Sequence, residues 1–330
     1  MRGFMIVPRK LARGDKVAVI APARSLSLLS RETRAYAIES LRKLGLEVEI
    51  SKHAEETDEF TSSSVKSRAE DLEWAFSNEE IKGILTVIGG FNSNELLSYI
   101  DFGLIRKNPK PLCGFSDATI LNNSIFAKAG LVTYYGPHFS TFGMLKGNEY
   151  TIEYFKKCLM SEEPYDIVQS KEWSDDSWYR DQENRKFLRN EGCKVINSGS
   201  AEGTVLGGNL CTFNLLQGTE YMPNLKDSIL FLEDDDAITP ANFARGLQST
   251  IHQPGFEGVK GIVIGRFQLK TQMSDALLRK IIKTKKELDG IPVISNADFG
   301  HTTPIATFPI GGTAKISADE SGVSIIIKEH

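Results

Sequence analysis

Gly114-Phe115-Ser116-Asp117 stands between an apolar run and a helical pattern, a setting in which a serine can act as a nucleophile. At a tight strand-to-helix turn the hydroxyl projects above the sheet, and the N–H of the next residue points to the same place. The helix N-terminus adds partial positive charge where an oxyanion would form. Gly114 lets the backbone turn sharply, and Ala118 puts a small residue where G-x-S-x-G has its second glycine. The bland alternative is that Ser116 or Asp117 only caps the helix that follows. A second turn, Ile88-Gly89-Gly90-Phe91-Asn92-Ser93-Asn94, also follows an apolar run and opens a helical segment. In a parallel sheet the carboxyl ends of neighbouring strands meet at one edge. Gly89-Gly90 can therefore bring a backbone N–H opposite Ser116. Its own alternative is a cap or an anion nest. The pattern G-x-x-x-x-G-K-[ST] is absent, which argues against a nucleotide P-loop.

A serine nucleophile needs a base and an acid from elsewhere in the chain. There are five histidines. His53 lies in an acidic polar loop, His330 ends the sequence, and His252 closes a helical pattern and reads as a solvated surface residue. His138 follows a strand in Gly136-Pro137-His138. His301 lies in a Gly- and Pro-containing loop after another strand, Ala297 to Pro304. Position alone leaves His138 and His301 nearly equal. For the acid, Phe231-Leu232-Glu233-Asp234-Asp235-Asp236 places four carboxylates at the end of an apolar strand, with Glu233 nearest the buried end. A solvated acidic turn is the alternative. A hard-cation site lacks the D-x-D-x-D-G spacing of a calcium loop.

The elements that must position these residues follow from periodicity. Strands are expected over Lys16–Ala21, Leu46–Ile50, Gly83–Ile88 and Pro111–Phe115, alternating with helices over Arg31–Leu44, Val65–Phe76 and Ala118–Ala129. Gly45 falls where a helix C′ glycine belongs. That alternation implies βαβ units and a parallel sheet. From Thr204 the strands become denser: Ser228–Glu233, Gly261–Phe267, Ile291–Ser295, then hairpins over Thr307–Ile327. Helical patterns persist at Leu210–Leu216, Ala241–Ile251 and Ser274–Leu288. The expectation is an α/β domain over 1–168, a polar linker over 169–192, and a β-rich, barrel-like α/β domain over 193–330. The linker's Ser170–Asn190 stretch is highly charged and carries Trp173, Trp178 and Tyr179. No internal repeat is evident.

Bulk properties narrow the function classes. A net charge of −4 and the absence of any Lys/Arg block give no footprint for a nucleic-acid polymer. No apolar run approaches the roughly 20 residues of a membrane span. Met1–Asp15 is basic but has no long apolar stretch, so it does not read as a signal peptide. Cys113, Cys158, Cys193 and Cys211 are scattered, without a C-x-x-C pair. They are expected to be free, reduced and mostly buried, with no structural zinc. A cytoplasmic location follows as an expectation.

Together these segments resemble the LD-carboxypeptidase family of serine peptidases. The resemblance rests on Ile88–Asn94 (IGGFNSN), Cys113–Ala118 (CGFSDA), Tyr135–His138 (YGPH), Gly207–Leu210 (GGNL), Ile229–Asp234 (ILFLED) and Gly300-His301, which run in family order along nearly the whole chain. It implies a Ser116–Glu233–His301 triad, which breaks the tie against His138, and an oxyanion hole from the N–H groups of Gly90 and Asp117. It also implies an N-terminal flavodoxin-like sheet with a β-rich C-terminal domain, no cofactor, no metal, and a homodimer. Of two branches in the family, one trims murein tetrapeptides before a terminal D-alanine. The other resembles the microcin C self-immunity proteins and cuts the amide between an aminoacyl group and a modified nucleotide. Glu172–Trp178, continuing to Arg185, looks like the aromatic loop of the second branch. There Trp173 or Trp178 would stack on a nucleobase, worth about 1–3 kcal/mol, with Asn92 and Ser93 also placed among the substrate-binding residues. The same tryptophans would otherwise only anchor a linker. Ala237 stands where some members of that branch carry a lysine, so nucleotide specificity is less firmly implied than amide hydrolysis. The partner is expected to be a small peptide or peptidyl-nucleotide. Two other readings are a catalytically silent small-molecule-binding protein and a nucleotide-dependent transferase. The transferase lacks the phosphate-loop lysine.

Overall fold

The computed structural model describes residues 5–330, so the first four residues of the basic start lie outside it. The first half builds a layer of parallel strands: β1 (Lys16–Ile20), β2 (Glu47–Ile50), β3 (Ile81–Thr86), β4 (Leu112–Gly114) and β5 (Thr133–Tyr135). Their spatial order is β2-β1-β3-β4-β5, the flavodoxin-like arrangement. Between them run α1 (Arg31–Lys43), α2 (Val65–Ser77), α3 (Phe102–Lys107) and α4 (Thr119–Ala129), with α5 (Glu149–Leu159) following β5. Strand β1 is buried on both faces, as parallel strands between helical layers must be. Val17 and Val19 join one core with Ala37 and Leu41 of α1 and Phe155 of α5. Ala18 and Ile20 join the other with Leu72 and Phe76 of α2 and Leu121 and Ile125 of α4. Each of the valine, leucine, isoleucine and phenylalanine side chains among them contributes about 1.5–3 kcal/mol on full burial.

Local chemistry sets the helix ends. Ser30 caps α1 by accepting the Thr33 N–H. At its other end Gly45 takes φ +86°, its N–H donates to Arg42 O, and Leu46 N–H donates to Leu41 O. This is the paired pattern of a Schellman stop, which only a residue tolerant of left-handed backbone accommodates. The sequence reading had no element over α5, although Thr151, Tyr154, Phe155, Cys158 and Leu159 bury one face at helical spacing.

The second half contributes β6 (Tyr165–Asp166), β7 (Glu172–Trp173), β8 (Leu188–Arg189), β9 (Lys194–Asn197), β10 (Gly199–Asn209), β11 (Ser228–Glu233), β12 (Gly261–Gly265), β13 (Val293–Ala297), β14 (Phe308–Ile310), β15 (Thr313–Asp319) and β16 (Gly322–Glu329), with α6 (Leu210–Phe213), α7 (Pro240–Ile251) and α8 (Asp275–Lys283). Its main sheet has eight strands in the order β6-β16-β15-β10-β11-β12-β13-β9. Strands β10 to β13 run parallel, and those flanking them are antiparallel. Strand β9 curls back against β15 and β16, which gives this β-rich sheet its barrel-like character.

The halves exchange strands. β14 pairs antiparallel with β5 and becomes the sixth strand of the first sheet, while β6 joins the second sheet beside β16. Phe308 of β14 packs at 4.6 Å on Tyr135, 4.8 Å on Phe231 and 5.1 Å on Phe299. One aromatic cluster therefore ties together the strand ends that carry the site. A linear division at 169–192 does not express this exchange.

Candidate active site

Strand β4 ends at Gly114, and a 3-10 turn over Ser116–Ala118 leads directly into α4. Ser116 has φ +57°, left-handed backbone that a non-glycine residue adopts only where its surroundings impose it. The two turns around it are packed without spare room. A Cβ on Gly114 would lie 2.1 Å from Thr86 Oγ1 and 3.0 Å from the Ala118 methyl. A Cβ on Gly89 would lie 2.9 Å from Ser116 Oγ, and one on Gly90 would lie 2.7 Å from the Ala23 methyl. The Asp117 carboxylate fastens the two turns together by accepting the N–H groups of Asn92 (3.1 Å) and Ser93 (2.9 Å) and the Ser93 hydroxyl (2.7 Å). Burial raises the Asp117 pKa, against those hydrogen bonds. The Asp117 N–H opens the helical turn, where N–H groups have no partner within the helix.

The second half brings its residues to the same place. Glu233 ends β11, fully buried. His301 lies in the loop after β13. Its Nδ1–H donates to Glu233 Oε2 (2.7 Å), and its Nε2 lies 3.0 Å from Ser116 Oγ. Two glycines make room for this pair: a Cβ on Gly300 would lie 2.8 Å from Glu233 Oε2, and one on Gly265 would lie 2.9 Å from Glu233 Cβ. Burial alone would lower the His301 pKa, but the charge and hydrogen bond of Glu233 outweigh it and raise the value to about 9. The neighbouring Asp234 is raised to about 7 by burial and by the charge of Glu233.

The His301 loop is clamped to the aromatic segment. Ser174 and Thr303 exchange two backbone hydrogen bonds, of 2.7 and 2.9 Å. Asp298 accepts from Ser170 N–H (2.6 Å), Ser170 Oγ and Asn190 Nδ2, and pairs with Arg266 at 2.7 Å. The Arg266 guanidinium lies over the Trp173 ring at 5.1 Å. Trp178 meets Tyr179 edge-on at 6.0 Å. Trp173 is partly buried, and together with Arg266, Phe267 and Met273 it lines a pocket beside the loop.

Among the candidates read from sequence, Ser116, Glu233 and His301 are thus brought together, with Gly90 and Asp117 in the turns beside them. Asn92 is partly exposed at the rim. Ser93, expected to touch substrate, is fully buried with both its N–H and hydroxyl committed to Asp117, so it holds the turn. Of the other histidines, His252 is exposed, His53 pairs with Glu56 and Glu70, and His330 is buried against Lys10 and Cys158 O. All four cysteines are free; Cys113 and Cys158 are buried, Cys193 is partly so and Cys211 is exposed. Among the described residues no group of three or more His, Cys, Asp or Glu could hold a metal, and no helix is long and apolar enough to cross a membrane. The Asp298–Arg266 clamp leaves one local signal in the sequence, an acidic residue three positions before His301.

Comparison with known proteins gives this geometry a context. Residues 17–136 match the model of the LD-carboxypeptidase N-terminal domain, and residues 202–316 match that of its C-terminal domain. The "Putative carboxypeptidase YocD" of Bacillus subtilis (strain 168) is 54% identical over 97% of this chain and 99% of its own length. The microcin C7 self-immunity protein MccF of Escherichia coli is 33% identical over 96% of this chain and 94% of its own. A crystal structure of an MccF-like protein from Bacillus anthracis str. Ames has a TM-score of 0.97 at 53% identity, covering 98% of this chain and 100% of that one. A structure of MccF in complex with glutamyl sulfamoyl guanosine has a TM-score of 0.87 at 30% identity, covering 98% of each chain. Matched in both halves, the chain belongs to the LD-carboxypeptidase family of serine peptidases.

Proposed function

We propose that the chain is a serine amidohydrolase in which Ser116 is the nucleophile, His301 the general base and Glu233 the orienting acid. The observation that carries this reading is the unbroken chain Ser116 Oγ, His301 Nε2, His301 Nδ1, Glu233 Oε2, with links of 3.0 and 2.7 Å. As Ser116 attacks the amide carbonyl, its proton passes to His301 Nε2. The Gly90 and Asp117 N–H groups receive the oxyanion, and His301 then protonates the departing nitrogen. Water repeats the sequence on the acyl-serine and releases the acid. Glu233 holds the tautomer that keeps Nε2 open as acceptor and stabilises the imidazolium.

The substrate we propose is an aminoacyl group joined by an amide to a modified nucleotide, which makes the chain a self-immunity hydrolase of the MccF type acting on microcin C-like antibiotics. Support comes from the likeness to MccF, whose structure holds glutamyl sulfamoyl guanosine, and from the Trp173–Trp178 segment clamped beside the His301 loop. A second reading, release of a terminal D-alanine from a murein tetrapeptide, is favoured by the name of the matching family models. The test offers the purified protein both compounds, a glutamyl sulfamoyl nucleoside and a murein tetrapeptide, and follows products by mass spectrometry. Free glutamate with sulfamoyl nucleoside supports the first reading, and free D-alanine alone replaces it with the second. Inertness toward both, together with failure of Ser116 to react with a fluorophosphonate, sinks the hydrolase proposal.

A further inference from the structure

A second imidazole reaches the Ser116 turn. His138, just beyond β5, is 2% exposed, and its ring lies 4.3 Å from that of Phe115, which in turn lies 5.3 Å from His301. Its Nδ1 is 2.6 Å from Thr86 Oγ1 at the end of β3, while its Nε2 is buried with no hydrogen-bond partner among the described residues. The point where a Gly89 Cβ would stand is 2.9 Å from Ser116 Oγ and 3.6 Å from His138 Nε2. Hydroxyl and ring nitrogen therefore border the same small space above Gly89.

The tautomer of His138 follows from the one proton of the Thr86 hydroxyl. Its other neighbour, Cys113 O, is 3.4 Å away, beyond the usual O–H···O range, whereas Nδ1 is at short hydrogen-bond distance. The shorter distance favours donation from the hydroxyl to Nδ1, an assignment that places the imidazole hydrogen on Nε2. Burial and the nearby His301 hold the His138 pKa down to about 3, which keeps the ring neutral. A buried N–H without a partner destabilises the resting state. That cost is offset only if an oxygen comes within reach during the reaction.

We propose that the Thr86–His138 pair is a positioning device: by fixing the Nε2–H tautomer, it presents a donor, never a second base, to the Ser116 oxygen, so that the serine proton passes only to His301. The opposite tautomer would turn a bare nitrogen toward Ser116 and divide its proton between two rings. The structure holds no hydrogen bond between Nε2 and Ser116 Oγ. In the proposal it forms as the oxygen moves in the reaction, so that the oxygen accepts from one imidazole and gives its proton to the other. Catalytic hydrogen bonds are commonly long or unmade before substrate binds. This inference rests on Ser116 being the nucleophile.

Its test has two arms. Nitrogen-15 NMR of the full chain with labelled histidine reads the His138 tautomer without substrate. Hydrogen on Nε2 is expected; hydrogen on Nδ1, or an imidazolium at neutral pH, overturns the inference. The second arm measures the rate at which a fluorophosphonate labels Ser116. His138→Gln keeps an N–H donor at the ε position and should stay within a few-fold of wild type. His138→Met and Thr86→Val should label about tenfold or more slowly, the cost of one lost hydrogen bond. Labelling of a folded His138→Met at the wild-type rate overturns the device, and so does a His138→Gln as slow as His138→Met. If wild type itself fails to label, the nucleophile reading falls, and this inference with it.

Discussion

The two halves hold their parts of the site by different physical means. On the N-terminal side the constraint is steric exclusion: Gly89, Gly90 and Gly114 each leave a space that one methyl group would overfill, and Ser116, whose hydroxyl borders the space at Gly89, takes left-handed backbone. On the C-terminal side the constraint is electrostatic: a fully buried carboxylate draws an imidazole to 2.7 Å and raises its pKa to about 9. The first half chiefly resists a change of volume; the second, where Gly265 and Gly300 also leave no room for a methyl group beside Glu233, resists a change of charge as well. In the proposed mechanism the nucleophile must be aimed before it reacts, whereas the base must gain and lose a proton, so the two constraints suit the proposed roles.

Removing the group on which the two sides converge should have the largest effect. Ser116→Ala is expected to lower kcat about 10⁴- to 10⁶-fold while leaving the thermal unfolding midpoint close to wild type, as its proposed role of nucleophile requires. Steady-state kinetics beside a melting curve checks both parts. Next, Glu233→Gln deletes charge while nearly keeping volume, and an effect of about 10⁴ in kcat is expected. The same variant sharpens the electrostatic half of the comparison through pH. His301 must be neutral to accept a proton, and Glu233 favours its charged form. In wild type kcat/KM should therefore fall as pH drops through a value raised toward about 9. In Glu233→Gln the inflection should move down toward the ordinary imidazole value. A pH–rate profile that the substitution leaves unmoved would break the comparison.

Gly89→Ala adds volume without charge, 2.9 Å from Ser116 Oγ. Displacing the nucleophile by a fraction of an ångström should cost about 10² in kcat with an unaltered pH profile. A shifted profile would show that the two constraints are not separable. The smallest effect is expected outside both. Trp178→Ala should raise KM for a nucleoside-containing substrate about 5- to 100-fold with little change in kcat, the value of one base-stacking contact. The same substitution should leave KM for a murein tetrapeptide nearly unchanged.

Much of this was legible in the sequence, and the omissions have a pattern. The strand-turn-helix around Ser116 and the stop at Gly45 are local, set by residues within a few positions of each other, and both are found where the sequence places them. Glu233 and His301 were readable as polar groups at strand ends, but choosing His301 over His138 needed the family pattern. In the structure His138 lies beside the Thr86 hydroxyl, whereas His301 pairs with the Glu233 carboxylate, a difference that no local sequence pattern displays. The strand β14 was read as part of a hairpin region, because its pairing with β5 joins residues far apart in the chain and leaves no local signature. Ser93 was misjudged for a related reason. A serine in a glycine turn reads as exposed until Asp117, 24 residues away, is seen to bury it.

The central claim is that Ser116 and His301 act as one unit, and a kinetic cycle tests it most directly. Turnover of Ser116→Ala, His301→Ala and the double variant is compared under one condition. Groups that share a single proton transfer give grossly non-additive losses, so the double variant should be about as slow as either single one. Losses that multiply in the double variant would mean that the two side chains contribute independently, and the account would be wrong.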